Sequence, residues 1–306
     1  MATRAREYRY DLKSAIPLAL VPVMPLFAIW SGVTWEAVVL CLALFWLRMW
    51  AVTAVHHRYF AHRTYQTSRP FQFVLAVLAQ LSTQRGVLWW AAHHRAHHLY
   101  SDTERDLHSP KQDGFLHSHF GWIFSDSGET DWKRIQDFAK YPELVWLDRW
   151  NLVPPIVLGG LVFAAFGWPG LFIGYFLSQV MTWHATYVIN SLCHVWGDRR
   201  FETKDTSRNN PWLALLTLGE GWHNNHHHYM NSCRQGFYWW EIDITYYVLR
   251  ALAAVGLVWD LKEPPPRVLA EGRRLDAERR AKQAEAKRRE EEAGELAPAR
   301  SSLAPR

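Results

Sequence analysis

Sixteen histidines stand among 306 residues, and most of them fall in three tight groups. His57 and His62 bracket four residues in HRYFAH, with His56 just ahead. His94, His97 and His98 stand at i, i+3, i+4, preceded by His93; His223, His226 and His227 repeat that spacing and are followed by His228. On a helix, residues so spaced project from one face, and three neutral imidazoles on one face make half of a transition-metal site. The groups together offer at least eight ligands, whereas a zinc ion takes about four, so the count calls for two metals or more. Imidazole suits zinc, copper, iron and nickel alike, so ligand type leaves the metal open. Beside a membrane, an all-histidine pair of sites suits iron that activates O2. Carboxylate-rich helical bundles carry a Glu-x-x-His motif on each of two helices; that pair is absent here, where the motif occurs once, at Glu220–His223.

The elements that must position these groups are largely apolar. Residues 15–32 form an apolar run with Pro17, Pro22 and Pro25 after a short basic start, and 35–55 form a second. Further runs cover 150–166 and 171–192. Each approaches the ~20 residues that cross a bilayer. The connectors Ser31–Thr34 and Gly167–Gly170 carry no Lys or Arg, while the other connections are rich in both. The positive-inside rule then puts both termini and the long middle region in the cytoplasm. Arg48, near the end of the second run, is placed to snorkel. Phe71–Leu81 is too short to span and reads as a core or in-plane helix, which keeps the first two histidine groups on one side of the membrane. The expected fold is therefore all-α and integral to the membrane: four transmembrane helices in two hairpins, with a helical cytoplasmic cap carrying a histidine-rich dimetal site. Residues 1–14 form a cytoplasmic N-terminus, 15–261 the membrane domain, with a last apolar helix around Trp240–Trp259. Residues 262–306, with twelve basic and nine acidic side chains and a triple proline near their start, form a charged helix or a disordered tail.

Composition excludes several classes. The three cysteines are far apart, so neither a disulfide scaffold nor a thiolate iron–sulfur centre fits. Much of the net charge of +5 comes from the tail, and the rest surrounds apolar spans, which suits a membrane surface rather than nucleic acid. No Gly-x-Gly-x-x-Gly follows a strand, so a dinucleotide-binding reductase is not part of this chain.

At these residues the chain resembles the integral-membrane fatty acid desaturases, in particular their acyl-CoA (stearoyl-CoA) Δ9 branch, in a bacterial type. The resemblance rests on HRYFAHRTY from His57, WWAAHHRAHHLYSD from Trp89, RDLHSPKQDGFLHSHFGW from Arg105, NSLCHVWG from Asn190 and GEGWHNNHHHY from Gly219. It covers roughly residues 15–260. It implies nine ligands to two iron ions: His57, His62, His94, His97, His98, His194, His223, His226 and His227. Asn190 matches a residue that in the family holds a metal-bound water; independently, Asn190 and His194 stand at i, i+4 on one face. His56, His93 and His228 are expected to be non-ligands. Ala92 and His93 stand where animal members carry an Arg-Asp pair that helps hold coenzyme A.

The implied reaction is O2-dependent desaturation of a long-chain saturated acyl group, at Δ9, on CoA or on a lipid. Electrons come from a separate ferredoxin, rubredoxin or cytochrome with its reductase. A methylene C–H bond has no acidity to exploit, so acid–base residues alone cannot break it. Aromatic residues of the spans are expected to line an acyl tunnel, with Trp183, His184 and Tyr187 as candidate substrate contacts. An intramembrane histidine such as His184 is a functional candidate in its own right. A related histidine-rich hydroxylase or ketolase shares the metals and topology but inserts oxygen. A metal transporter would place ligands along several spans, unlike the one-sided clustering here. The expected location is the cell inner membrane, multi-pass, with no nucleic-acid partner.

Overall fold

A computed structural model describes residues 12–125 and 128–300. Most of residues 1–14, expected as a cytoplasmic N-terminus, lie outside the described residues. Two helical runs are long and apolar enough to cross a membrane: Trp35–Ala61, of 27 residues, and Val153–Val195, of 43. The second is two helices, because Gly167 at φ 61, ψ −157 breaks the helical path, a conformation that glycine adopts without Cβ strain. A shorter apolar helix, Leu18–Ser31, precedes them. Its middle, Val21–Phe27, is wound as a 3-10 helix, where Pro22 and Pro25 offer no N–H to an α-helical ladder. It ends at Gly32 (φ 78), and Thr34 caps the next helix by accepting the Ala37 N–H at 3.2 Å. Large apolar side chains on these helices face outward, among them Ile29, Trp30, Trp35, Ile156 and Leu161. Exposed apolar surface of this extent needs a non-aqueous neighbour.

Four sequence expectations change here. The second run does not stop at Val55: the α-helix Trp35–Ala51 continues as a π-helix over Val52–Ala61. Arg48 does not snorkel. It is fully buried, and its Nη1 donates to the Tyr175 carbonyl (2.9 Å) and to Ser178 Oγ (2.6 Å), with the guanidinium 4.6 Å from the Tyr175 ring centroid. The fold is not purely helical either: Gln66–Thr67 pairs antiparallel with Val258–Trp259. Thr67 Oγ1 reinforces that pairing by donating to the Leu257 carbonyl at 2.7 Å. The helix expected around Trp240–Trp259 is only Ile244–Ala254, capped by Asp243 and followed by Gly256 at φ 75.

The cap packs around the inner end of the π-wound segment. Arg69–Gln80 is amphipathic and buries Leu75, Ala76 and Ala79. With Val55, Phe60, Leu88, Ile135, Leu144 and Leu249 these residues make the main core. Within that core the arginines of the first two histidine groups act as anchors. Arg58 is buried and pairs with Glu220 (3.0 Å) and Asp243 (2.9 Å). Arg95 forms a two-pronged pair with Asp137 (2.9 Å for both contacts) and donates to the Phe60, Ala61 and Arg134 carbonyls. Bidentate arginine pairs of this kind fix orientation as well as position. Pro264–Arg306 is a separate compact unit. It holds the 35-residue helix Pro266–Arg300, laced by i, i+4 pairs such as Arg274–Glu278 and Lys287–Glu291.

Candidate metal centre

The first histidine pair owes its geometry to the π-helix. An i→i+5 hydrogen-bond pattern brings residues five apart to one side, and the His62 N–H donates to the His57 carbonyl at 3.2 Å. The two rings lie 4.8 Å apart between centroids. The second group sits on the helix Val87–Tyr100 and the third on His223–His228. Asn224 and Asn225 hold that short third helix. Asn224 bonds the Phe201 N–H and carbonyl, and Asn225 donates to the Gln235 carbonyl and Glu241.

The histidines gather into two groups. His57, His62, His94, His98 and His226 bring ligand nitrogens within 4.8 Å of one another, and His97, His194, His223 and His227 do the same. Each i, i+3, i+4 set is thus divided rather than shared as one half-site. On an α-helix the i+4 residue lies about 40° past i, while i+3 lies about 60° short of it, since each residue turns about 100°. The i, i+4 pairs His94/His98 and His223/His227 therefore stay together. His97 and His226 lean to the other side and cross to the opposite group. His194 comes from the short helix Leu192–Val195, beyond a break at Ser191. Asn190 ends the preceding helix, so the two are not on one unbroken helical face.

Four buried carboxylates stand behind these rings. Asp106, Asp102 and Asp205 lie 3.1, 3.4 and 2.6 Å from Nδ1 of His97, His194 and His227. Glu220 lies 2.6 Å from His57 Nδ1. Each places the ring proton on Nδ1 and leaves Nε2 as a lone pair aimed inward. There Nε2 atoms meet Nε2 atoms: His57–His226 at 3.0 Å, His62–His94 at 3.0 Å, His94–His98 at 3.0 Å and His98–His226 at 2.9 Å. In the other group His194 and His223 meet at 3.2 Å, and His227 Nε2 is buried with no hydrogen-bond partner. Converging lone pairs at such distances repel unless a cation lies among them, so the residues present fit two metal ions.

Electrostatics agrees with ligation. Burial, reinforced by neighbouring imidazoles, holds His62, His94, His98, His223 and His226 well below the usual histidine range. Burial also brings His227 down to about 4, against the opposing pull of Asp205. These rings are neutral at pH 7, as metal ligands must be. His97 goes the other way: burial lowers it, but the Asp106, Asp205 and Asp102 carboxylates together outweigh burial and raise it.

The carboxylates were not singled out in the sequence. Their signal is local for two of them, since Asp102 and Asp106 follow the second group by four and eight residues. Asp205 and Glu220 carry no such mark. The histidines expected to be non-ligands lie outside both groups. His56 Nε2 is 3.1 Å from the Ala79 carbonyl, His93 Nδ1 is 2.8 Å from the Trp89 carbonyl, and His228 stacks on Phe201.

A cavity of about 450 Å³ runs beside the centre. Its wall includes His94 from one group and His97 from the other, with Trp89, Trp90, Trp122, Ile123 and Leu107 as apolar lining. Trp183, Tyr187 and Asn190, spaced i, i+4, i+7, present one helix face to it. His184 is not among the lining residues. It is exposed on another face and pairs with His119 at 3.1 Å. A polar clasp lies in the cavity wall: Trp90 Nε1 donates to Gln84 Oε1 (3.3 Å), and Gln84 Nε2 donates to Thr186 Oγ1 (2.9 Å). A mostly apolar cleft of this size with a few placed polar groups has the character of a small-molecule site.

Residues 33–261 match the model of the fatty acid desaturase family. The chain is 36% identical over 246 residues to an sn-2 palmitoyl-lipid 9-desaturase of Nostoc sp. (strain 36), covering 78% of this chain and 86% of that protein. It is 36% identical over 261 residues to Delta-9 acyl-lipid desaturase 1 of Arabidopsis thaliana, covering 84% and 85%. It is 34% identical over 263 residues to an icosanoyl-CoA 5-desaturase of Limnanthes douglasii, covering 83% and 73%. The chain belongs to the fatty acid desaturase family.

Proposed function

We propose that this protein desaturates a long-chain saturated acyl group at Δ9, using two iron ions, O2 and electrons from a separate ferredoxin, rubredoxin or cytochrome. The observation that carries the reading is the pair of all-histidine groups, each with a member on the wall of one apolar cavity. The nine histidines hold the metals, five at one site and four at the other. Iron bound there supplies, with O2, the oxidising power that an unactivated C–H bond requires. Overall, a –CH2–CH2– unit loses two hydrogens and becomes –CH=CH–; with two further electrons and two protons, O2 becomes two waters. The Δ9 position is supported by the Nostoc and Arabidopsis relatives, whose names give it.

This chain's residues orient and exclude. The four carboxylates hold the rings in their Nδ1–H form. Trp183 and Tyr187 press the acyl chain against the centre, while Asn190 offers an amide at the same wall. The Trp90–Gln84–Thr186 clasp bends or stops the chain, which fixes the methylenes that meet the centre. The tunnel's apolar wall keeps water from the reacting carbons.

The test is metal analysis with product analysis. Protein expressed with iron supplied is expected to hold two irons per chain, and the lipids of the host gain a double bond with no added oxygen mass. One zinc and no iron would overturn the metal assignment. A product heavier by one oxygen would make the protein a hydroxylase or ketolase.

The proposed topology has four spans at about 15–32, 35–61, 153–166 and 168–195, with both termini in the cytoplasm and the protein in the cell inner membrane. It is supported by the turns at Gly32 and Gly167, whose connectors carry no Lys or Arg. Reporters at 167–170 are expected outside the cytoplasm and reporters at either end inside. A cytoplasmic reporter at 167–170 would remove the second hairpin.

A further inference from the structure

A second cavity, of about 490 Å³, abuts the first. The two share Arg85, Trp89 and Glu129 in their walls. The second is polar where the first is mostly apolar, and its other groups include Trp132, Asp148 and Arg149. It sits where the chain enters the long apolar run Val153–Val195: Arg149 and Asn151 line it, and the helix Val153–Pro169 begins two residues later. Trp132, Trp146 and Trp150 are exposed around that point. Tryptophans so placed mark a membrane–water boundary.

We propose that this second cavity holds the headgroup and glycerol backbone of a membrane lipid while one of its acyl chains lies in the first. The ligand class is a diacylglycerolipid whose headgroup is uncharged or zwitterionic. The inference rests on the acyl-chain reading of the first cavity and adds the carrier.

Charge balance is the main argument. In the second cavity the guanidiniums of Arg85 and Arg149 face the carboxylates of Glu129 and Asp148. In the wall of the first, Arg105 and Arg134 join Arg85 but Asp131 joins Glu129, and Arg134 is already paired with Asp131 at 2.9 Å. Neither opening gathers the excess of positive charge that the phosphates of coenzyme A require. The Asp148 oxygens are spent on the Leu88 and Trp89 N–H groups and on Thr130 Oγ1. Arg85 lies over the Trp89 ring at 5.0 Å, which braces it between the two cavities. Arg149, Glu129 and Trp132 are then the groups offered to a headgroup: a donor, an acceptor and a flat apolar face. That set meets the hydroxyls and ring of a sugar, or the phosphate and cationic group of a zwitterion. A cavity at the bilayer boundary also receives such a lipid without lifting its second acyl chain from the membrane.

The experiment is displacement of a labelled dipalmitoyl galactosyl lipid from the full-length, iron-loaded protein in digitonin micelles, which needs no electron donor. Dipalmitoyl galactolipid and dipalmitoylphosphatidylcholine are expected to displace it at concentrations about tenfold below palmitoyl-CoA, and the two lipids separate the sugar source from the zwitterion. Arg149→Glu and Trp132→Ala are expected to weaken lipid binding about five- to tenfold, while displacement by palmitoyl-CoA and iron content stay unchanged. Palmitoyl-CoA binding more tightly than both lipids would overturn the inference and leave desaturation standing. Variants that weaken lipid and palmitoyl-CoA alike, or neither, would also overturn it. If neither lipid nor palmitoyl-CoA displaces the label, the acyl reading of the first cavity falls, and the inference with it.

Discussion

His98→Ala is expected to abolish desaturation, with a fall of more than about a hundredfold, while His93→Ala keeps measurable activity. The two residues stand on the same helix, five positions apart. His98 Nε2 lies 3.0 Å from that of His94 and 2.9 Å from that of His226, so its removal takes one of five converging nitrogens. Losing a group that only supports a ligand costs about 10–100-fold, and losing the ligand itself costs more. His93 instead turns its Nδ1 to the Trp89 carbonyl, within its own helix, and stacks on the Trp89 ring. Lipid profiling of cells expressing each variant gives the activity, and iron per chain gives the cause. Equal losses in both variants would mean that the second histidine group is read in the wrong register.

The difference between these two histidines came from the family resemblance, since His93 and His97 also stand at i, i+4, and the spacing of the others shows where such reading stops. The nine histidines are the set that the resemblance implies, and the structure brings all nine into two groups. The division of each i, i+3, i+4 set was not legible, because a projection on one helix face does not say where the facing helix stands. The five-residue separation of His57 and His62 fits poorly on an α-helix. It becomes a pair only through the π-winding of Val52–Ala61, which depends on the packing of Tyr59, Phe60 and Arg58 into the cap. Hydropathy located the apolar runs but placed Arg48 by its distance from a span end that the helix does not observe. The pairing of Gln66–Thr67 with Val258–Trp259 joins residues almost two hundred positions apart, and two-residue strands leave no periodic trace. Asp205 and Glu220 are invisible for the same reason: each meets its histidine only after the chain has returned from elsewhere in the fold.

Those two carboxylates give the second large effect, and they separate the two metal sites. Glu220→Gln is expected to empty the five-histidine site, and Asp205→Asn the four-histidine site, each lowering iron from two per chain toward one and activity by about 10–100-fold. In the intact protein Glu220 has two tasks. One oxygen accepts from Arg58 Nε (3.2 Å) and Nη2 (3.0 Å), and the other accepts from His57 Nδ1 at 2.6 Å. A glutamine has one acceptor oxygen for both. Arg58 presents only donors and is fully buried, so the oxygen must stay with it. The amide nitrogen then faces His57, and being a donor it forces Nδ1 to accept. The ring proton moves to Nε2, which turns the inward lone pair into an N–H aimed at the site. Arg58 keeps Asp243 at 2.9 Å, so the fold survives and the loss is read in metal content and not in expression. Asp205→Asn acts on His227 by the same logic, since the Asp205 carboxylate lies 2.6 Å from Nδ1. There the second oxygen serves Thr203 Oγ1 and the Ser207 N–H, both donors, which again hold the asparagine oxygen and leave its nitrogen for the histidine. Iron remaining at two per chain in both variants, with activity within about twofold of the parent, would show that these carboxylates do not set the tautomers. The ligand assignment would then rest on the converging nitrogens alone.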